Sequence, residues 1–408
     1  MEYKNISRKE KFSRPANCDI YFCGHSLGLQ PKASNIYIQK FMQDWSNYAV
    51  KGHFEEDVDW YNYHTRLTPA LAHLCGAQQD EVVAMNSLTV NLHLALQAFY
   101  VPGTNIIAEL LSFSSNHYAV MSILKKYNID AQKYMVEIPA DKDYTLSTTH
   151  ILSYIEKYHK NTSVLLLSAI NYVSGQYYDL KTIAESCKTH GIIFGLDLAH
   201  AIGNVPLHLH DLEVDFAVWC SYKYLNSGPG GVGGFFIHQK HHTNTHFPSL
   251  AGWWGHNADT RFAMSKDFDP MRGAQGWQLS NAPIAAMTIQ YAALEIFMQV
   301  GIQPLRTLSI ALTTNLAEGI ISIINKYNLT NTHIITPLQP EARGAMLSIK
   351  AIGYANKLYS YLTSKNIIID LRKPDIIRIT PAPLYNSFDE VDMFLTILDK
   401  FYADNNHK

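Results

Sequence analysis

Short apolar runs alternate with helix-like segments through the middle of the 408-residue chain. The strand-like runs cover residues 106–113, 164–170, 192–197 and 215–221. Helical patterns follow from about His117 and from Leu180 to about Thr189. Because continuous apolar strands divided by helices are typical of sheets buried on both faces, the pattern predicts an α/β fold with a mostly parallel central sheet covered by helices. Such a sheet carries its functional site at the strand ends.

The pattern changes after Pro283 to long helical stretches joined by short strands. Helices are predicted at about 284–300, 304–327 and 387–401, with strands near 345–350 and 375–380. These elements predict a smaller α+β C-terminal domain. We therefore expect three parts, which are an N-terminal segment (1–60) packing with the small domain, a large α/β domain (61–283) and the small domain (284–408).

The charge balance argues against a polyanionic partner. The chain has 33 basic and 35 acidic residues, so no electrostatic footprint indicates nucleic acid or an anionic membrane. We expect a small-molecule substrate.

The cysteines and the N-terminus predict a cytoplasmic protein. Five scattered cysteines without C-x-x-C spacing fit a reducing compartment, and no apolar signal region opens the sequence. No apolar stretch is expected to approach the roughly 20 residues of a membrane span. The 19 histidines lack a recognisable metal-ligand frame, so no metal is predicted.

One lysine stands in an unusual place. Lys223 stands inside a run that is otherwise fit for a buried strand, and a glycine-rich loop, Gly228 to Gly234, follows it. Most lysines near apolar runs extend their ammonium to solvent. A buried ammonium must instead be paired, neutralised by a lowered pKa, or bonded covalently through its nitrogen, as in a Schiff base.

A carboxylate upstream favours the covalent interpretation. The apolar run that ends in Asp197 is followed by His200. Pyridoxal 5'-phosphate (PLP) needs a lysine for its aldehyde and a carboxylate beside its pyridine nitrogen, and Asp197 and Lys223 provide this pair. The alternative for Asp197 is a strand-end cap or a surface salt bridge.

Three motifs carry a specific resemblance to a known family. The motifs are M-N-S-L-T-V-N-L-H-L (85–94), D-L-A-H-A-I-G-N-V-P-L (197–207) and D-F-A-V-W-C-S-Y-K-Y-L-N-S-G-P-G-G (215–231), and together they resemble kynureninases. The similarity extends from Tyr21 to Asn386. It implies a fold-type I PLP enzyme of the class V aminotransferase superfamily, with the transferase-like α/β fold and a homodimer. It also implies hydrolysis of L-kynurenine or its 3-hydroxy derivative to an anthranilate and L-alanine in tryptophan catabolism.

The resemblance assigns roles around the cofactor. Lys223 would bond to PLP, Asp197 would pair with its ring nitrogen, and Tyr222 would bind the cofactor and relay a proton. The other implied cofactor contacts are Leu88, Thr89, Phe113, Ser114, Asn116, Ser168, His200, Trp253 and Asn281. Leu88 and Thr89 have independent support, since they open a predicted helix whose free N–H groups can bind phosphate.

Further residues are implied in substrate binding. Arg378 would bind the α-carboxylate, because a guanidinium in an apolar strand needs an anionic partner. An internal salt bridge is the alternative. Ser26, His53, Trp254, Ser280 and Asn281 would line the pocket for the aromatic ring. His53, Ser280 and Asn281 resemble relatives that prefer 3-hydroxykynurenine.

Three positions depart from the family pattern. His25 replaces an asparagine, Asn116 an aspartate and Val173 a tyrosine. These changes leave two alternatives open, a related PLP enzyme such as an aminotransferase or cysteine desulfurase, and a non-catalytic binding protein. Because no cysteine follows Cys220, the desulfurase alternative is disfavoured.

Overall fold

The computed structural model describes residues 6–141, 144–243 and 247–405. Eleven α-helices lie within these ranges: α1 (Ala33–Tyr48), α2 (Thr68–Cys75), α3 (Leu88–Phe99), α4 (Ser114–Lys126), α5 (Ala131–Tyr134), α6 (Thr148–Tyr158), α7 (Leu180–His190), α8 (Ile284–Val300), α9 (Ile302–Lys326), α10 (Ala355–Thr363) and α11 (Phe388–Asn405). The strands of the same ranges are β1 (Phe12–Ser13), β2 (Ile20–Tyr21), β3 (Gln30–Pro31), β4 (Val82–Ala84), β5 (Asn105–Glu109), β6 (Met135–Ile138), β7 (Thr162–Ser168), β8 (Ile193–Asp197), β9 (Phe216–Trp219), β10 (Gly234–Ile237), β11 (Thr332–Ile334), β12 (Leu347–Ala351), β13 (Ile367–Ile368), β14 (Asp370–Arg372) and β15 (Ile376–Ile379).

A seven-stranded sheet forms the centre of the larger part. Its strand order is β4-β10-β9-β8-β7-β5-β6, and β10 runs in the opposite direction to the other six strands. Alternate residues of β7 enter different cores, since Leu165 and Leu167 pack on one face and Val164 and Leu166 on the other. Burial on both faces explains why the strands read as continuous apolar runs. The predicted α/β class and the mostly parallel sheet are confirmed.

Two strands end earlier than the sequence pattern suggests. β5 ends at Glu109, and the apolar residues Leu110 and Phe113 that follow are exposed. β9 ends at Trp219, so Lys223 lies in the turn after the strand and is only partly buried. In both places the apolar residues continue past the end of the strand because the following turn lines a cavity. Ligand cavities are lined mainly by apolar side chains, so the sequence does not change in character where the strand ends.

A second sheet organises the C-terminal part. Its strands have the order β11-β12-β15-β14 and are all antiparallel. The apolar residues of these strands share a core with α9, α10 and α11. Ile20 and Phe22 of the N-terminal segment enter the same core, and β2 pairs with β13.

The division at residues 60 and 283 stays a prediction. Met287, Leu294 and Phe297 of α8 pack in the larger core, whereas α9 contributes to the smaller core from Leu308 onward. The change of core therefore falls between α8 and the middle of α9.

One helix of the described ranges, α9, is long and apolar enough to cross a membrane by length and composition. The sequence analysis expected no apolar stretch near the length of a membrane span, and it did not account for the 25 residues of α9. In the structure, α9 packs against α11 and β11. Its apolar composition is therefore explained by burial in the smaller core, where Leu308, Leu312 and Leu316 lie.

We expect Leu312→Ala to destabilise the protein by about 2–5 kcal/mol, because Leu312 is fully buried and its removal leaves a cavity. Chemical denaturation at saturating cofactor measures the effect. The control is Glu318→Ala on the exposed side of the same helix, which should change the free energy of unfolding by less than about 0.5 kcal/mol. Equal effects for the two variants would contradict the assignment of α9 to a core.

Candidate functional site

The predicted cofactor residues converge at the carboxyl ends of the parallel strands. Ser168 and Asp197 end β7 and β8 and lie opposite each other in the ladder, and Lys223 stands four residues beyond β9. Eight of the predicted residues line one cavity, called here the Lys223 cavity: Leu88, Thr89, Phe113, Ser168, Asp197, His200, Tyr222 and Lys223. Parallel strands point their carboxyl ends at the same edge, so residues far apart in sequence meet there.

Asp197 is a buried carboxylate at the base of the cavity. It is 5% exposed, and its two oxygens accept hydrogen bonds from the Asn116 amide at 2.8 Å and from the Ala199 N–H at 2.8 Å. Burial raises the pKa of Asp197, and these bonds and the charge of Lys223 only partly oppose the increase. A cationic ring nitrogen beside Asp197 would stabilise its ionised form.

The departure at position 116 has a structural consequence. An amide can donate to the carboxylate of Asp197, which a second carboxylate cannot do. Asn116 is itself buried, and its carbonyl oxygen has no hydrogen-bond partner among the described residues. Because position 116 is an asparagine and not the aspartate of the family pattern, Asp197 has a neutral hydrogen-bond donor beside it.

Lys223 contacts His200. The lysine nitrogen lies 3.0 Å from His200 Nε2 and 5.8 Å from the centre of the Phe113 ring. Burial, followed by the charge of Lys223, lowers the pKa of His200 well below its ordinary value. The neutral imidazole therefore accepts from Lys223 at Nε2 and carries its proton at Nδ1, which has no hydrogen-bond partner in the described part of the chain.

The first turn of α3 forms another wall. The helix begins at Leu88, and its N-cap residue Ser87 makes no side-chain capping bond. The first N–H groups of a helix have no intrahelical partner and attract anions. Gly233 approaches this turn so closely that a Cβ atom there would lie 3.1 Å from the Leu88 nitrogen.

These features fit PLP. The unpartnered Nδ1 of His200 and Oδ1 of Asn116 are buried polar atoms that a polar ligand could satisfy. Phe113 is 43% exposed at the cavity, where its ring can stack on a pyridine. Asp197 would hold the ring nitrogen, Lys223 the aldehyde carbon, and the α3 turn the phosphate.

Arg378 is paired with a carboxylate of the protein. It is buried in β15, donates from Nε to Asp370 at 2.6 Å, and also bonds Asp370 through Nη2. Its other donors reach the Tyr172 carbonyl at 2.7 Å and the Ser26 hydroxyl at 3.2 Å. The internal salt bridge considered as an alternative is therefore present. Substrate binding by Arg378 and Ser26 stays a prediction, in which the substrate carboxylate would share the guanidinium with Asp370.

The second departure, His25, belongs to this network. Burial and the charge of Arg378 lower the pKa of His25 to about 3, so the ring is neutral. Its Nε2 lies 3.4 Å from Asp370, and its Nδ1 lies 2.7 Å from the Thr380 hydroxyl. Burial alone would raise the pKa of Asp370, but bonding to His25 and the charge of Arg378 outweigh it and keep that pKa well below the usual value.

Nine predicted residues lie outside the lining of the Lys223 cavity. Asn116, Ser26 and Arg378 are described above, and the other six are Ser114, His53, Trp253, Trp254, Ser280 and Asn281. Ser114 begins α4 beside Phe113. Trp253 and Trp254 belong to an aromatic group, and Ser280 and Asn281 line a separate cavity with Asn86 and Gly230.

Five cavity residues were not predicted: Ser115, Ile170, Tyr172, Ala199 and Cys220. Four of them lie within two residues of predicted positions, so motif proximity could have indicated them. Tyr172 differs, because its place depends on contacts with Phe113 and Arg378 from distant segments.

The fold and site define a class of protein. A family model described as Aminotransferase class-V matches residues 21–371, and the chain belongs to this family of PLP enzymes.

Similar proteins define the family more narrowly. A kynureninase of Flavobacterium psychrophilum is 42% identical over 390 residues, which cover 95% of this chain and 92% of that protein. A kynureninase of Stenotrophomonas maltophilia is 41% identical over 92% of this chain and 89% of its own length. Identity at this level over nearly the whole length places the chain within the kynureninase family.

Solved structures share the fold at low identity. The apo structure of a cysteine desulfurase from Thermococcus onnurineus NA1 has a TM-score of 0.79 at 16% identity and covers 99% of both chains. The cystine C–S lyase C-DES has a TM-score of 0.75 at 19% identity, with 94% of this chain and 98% of that chain covered. The predicted fold-type I architecture is confirmed.

We expect Asn116→Leu to weaken PLP binding roughly tenfold to a hundredfold, because it removes the amide bond to a buried carboxylate, worth about 1.5–3 kcal/mol. Titration of the apoprotein with PLP, followed by absorbance, measures the effect. Ser122→Ala on α4, whose hydroxyl bonds the Tyr118 carbonyl at the exposed face of the helix, is the control. Equal PLP affinity in the Asn116 variant and the wild type would show that the amide does not support Asp197.

Proposed function

We propose that the chain catalyses hydrolytic Cβ–Cγ cleavage of L-kynurenine or 3-hydroxy-L-kynurenine, giving anthranilate or 3-hydroxyanthranilate and L-alanine. The observation that carries the proposal is the arrangement of Lys223, His200 and Asp197 in one cavity of a chain from this family. One water is consumed, and its addition to the γ-carbonyl prepares the carbon–carbon bond for cleavage.

PLP, when bound, supplies an electron-withdrawing ring that stabilises negative charge on the substrate carbons. Asp197 would hold the ring nitrogen and keep it positively charged, and the hydrogen bond from Asn116 fixes the orientation of Asp197. Lys223 removes the proton from the substrate Cα and returns one at the end of the reaction. The neutral imidazole of His200 accepts a hydrogen bond from the lysine and so holds its nitrogen at the cavity wall.

Tyr222 is the proposed proton donor to Cβ. Burial, followed by its contact with Cys220, raises the pKa of the phenol, so it keeps its proton at neutral pH. It lines the cavity next to Lys223. A protonated phenol in this place can give a proton to carbon and recover it from water.

The proposed substrate contacts divide between two regions. Arg378, oriented by Asp370, would bind the α-carboxylate together with Ser26. His53, Trp254, Ser280 and Asn281 would contact the aromatic ring, and Asn281 would bond the additional hydroxyl of 3-hydroxykynurenine. We propose a preference for this hydroxylated substrate.

We further propose a homodimer in which Trp253, Ser280 and Asn281 complete the site of the partner subunit. Two observations support the homodimer. These three residues do not line the Lys223 cavity of their own chain. In addition, Trp253 is 45% exposed. Phe54 and Phe262 are exposed in the same aromatic group. Large exposed aromatic groups are typical of protein interfaces.

A cytoplasmic location and a role in tryptophan catabolism complete the proposal. The five cysteines are all free thiols in the structure, as expected in a reducing compartment.

Cysteine desulfuration is the competing PLP reaction suggested by the fold. Cys220 lines the cavity, but burial raises the pKa of its thiol and so disfavours the nucleophilic thiolate. We therefore propose no sulfur transfer by this residue.

The purified protein with PLP should convert kynurenine to alanine and fluorescent anthranilate. Lys223→Ala should lower kcat by about three orders of magnitude or more, because it removes both the cofactor bond and the proposed base. The control is Lys181→Ala on the exposed face of α7, which should retain full activity. Side-by-side kinetics with 3-hydroxykynurenine test the proposed preference.

Each competing function has its own product. Keto acid formation would favour an aminotransferase, sulfane sulfur from cysteine a desulfurase, and failure to bind PLP a non-catalytic protein. Any of these without anthranilate formation would reject the proposed reaction.

Mixed dimers test the partner's contribution. We expect Asn281→Ala and Lys223→Ala to be nearly inactive alone, and a doubly tagged heterodimer of the two to recover about half of the wild-type activity, since one of its two sites keeps both residues. If Asn281 served its own subunit, neither site would be complete and the heterodimer would stay inactive. A monomer by light scattering would also reject the proposal.

A further inference from the structure

Glu109 is a buried carboxylate next to the Lys223 cavity. It ends β5, is 2% exposed, and accepts hydrogen bonds from neutral groups. The donors are the Ser168 N–H at 2.8 Å, the Asn171 amide at 3.0 Å and the Tyr178 hydroxyl at 2.6 Å. A buried carboxylate held by neutral donors is costly, so its presence calls for a specific role.

The Asn171 amide connects Glu109 to a loop. Its nitrogen donates to Glu109 and to the Leu111 carbonyl, and its oxygen accepts from the Val173 N–H at 2.9 Å and the Ser174 N–H at 3.1 Å. All hydrogen-bonding capacity of this amide is therefore used. The loop from Asn171 to Ser174 is held in place from its first residue.

The loop reaches both halves of the proposed site. The Tyr172 ring lines the Lys223 cavity and packs edge-on against Phe113, with 5.4 Å between ring centres. Its carbonyl accepts from Arg378 Nη1 at 2.7 Å. The next carbonyl, of Val173, accepts from the Ser348 hydroxyl at 2.6 Å, and Ser348 lies opposite Arg378 in the small sheet.

We infer that Glu109 is a positioning residue, which through Asn171 and Tyr172 sets the position of Arg378 relative to the Lys223 cavity and thereby the affinity for the substrate carboxylate. The inference rests on the proposed function, in which Arg378 binds that carboxylate. Glu109 would touch neither substrate nor cofactor, so its effect is on binding geometry.

The two acceptor oxygens of Glu109 matter because three groups donate hydrogen bonds to them. A glutamine in the same place has one acceptor oxygen, and its NH₂ group would face the Asn171 NH₂ or the Ser168 N–H. Glu109→Gln therefore breaks at least one of the three bonds. Asn171→Asp breaks the hydrogen bond between positions 109 and 171, because it places a second carboxylate against Glu109.

The double variant Glu109→Gln/Asn171→Asp exchanges the two groups. The amide introduced at position 109 could donate to the carboxylate introduced at position 171 and still accept from Ser168. That carboxylate could in turn still accept from the Val173 and Ser174 N–H groups. The bond to the Leu111 carbonyl is necessarily lost, because a carboxylate cannot donate. The Tyr178 hydroxyl, which donates to the same Glu109 oxygen as Asn171, must instead accept from the introduced amide. The exchange should therefore restore the loop.

The experiment uses the PLP-saturated enzyme and kynurenine. We expect each single variant to raise KM by about tenfold while kcat changes by less than about threefold, and the double variant to return KM to within about threefold of the wild type. The matched control is Glu81→Gln, another buried glutamate that accepts backbone N–H bonds but whose partners, Gln78, Gln239 and His210, lie outside the loop from Asn171 to Ser174. It should lower stability without changing KM.

Two results would overturn the inference. One is an unchanged KM in the folded single variants, and the other is a double variant no better than the worse single variant. If Glu109→Gln does not fold, Asn171→Asp and the double variant still provide the comparison. A wild type without activity on kynurenine would reject the proposed function instead, which separates the two failures.

Discussion

The structure depends on stabilising a carboxylate where water is excluded. Asp197 ends a strand that is buried on both faces, and its partners are an amide, a backbone N–H and the charge of Lys223. Burial opposes its ionised form, so a cationic ligand nitrogen beside it gains a strong electrostatic interaction. Around this carboxylate the fold places a neutral imidazole, a lysine and a helix N-terminus, and in the proposed site the lysine and the helix N-terminus would hold the aldehyde and the phosphate of PLP.

The topology of the sheet explains why these groups meet. The chain passes from β5 to the edge strand β6, then returns to the other side of β5 to form β7, β8 and β9 in order. The reversal leaves a crevice at the carboxyl ends of β5 and β7, where ligands bind in open α/β sheets. Glu109 ends β5 at this crevice, Ser168 ends the neighbouring strand β7, and Asp197 ends β8, the next strand along.

The smaller sheet contributes through one charged network. Arg378, Asp370 and His25 come from a strand, its neighbour and the N-terminal segment, so three parts of the chain must dock before the guanidinium is oriented. The same guanidinium bonds the carbonyl of Tyr172, whose ring lines the Lys223 cavity. The network therefore joins the two halves of the proposed site, and in the proposed function substrate affinity would depend on how well they dock.

The sequence by itself determined the α/β class, the helices α8, α9 and α11, and the meeting of Asp197 and Lys223 in one cavity, because apolar periodicity and residue spacing are local features. The resemblance to kynureninases supplied most of the other predicted residues of the Lys223 cavity. Tertiary structure alone decided that Asn116 donates to Asp197, that Arg378 pairs with Asp370 and that Tyr172 enters the cavity. Most of these contacts join segments that are distant along the chain. Local patterns carry no information about them, since hydrogen-bond partners are selected only when packed elements exclude water.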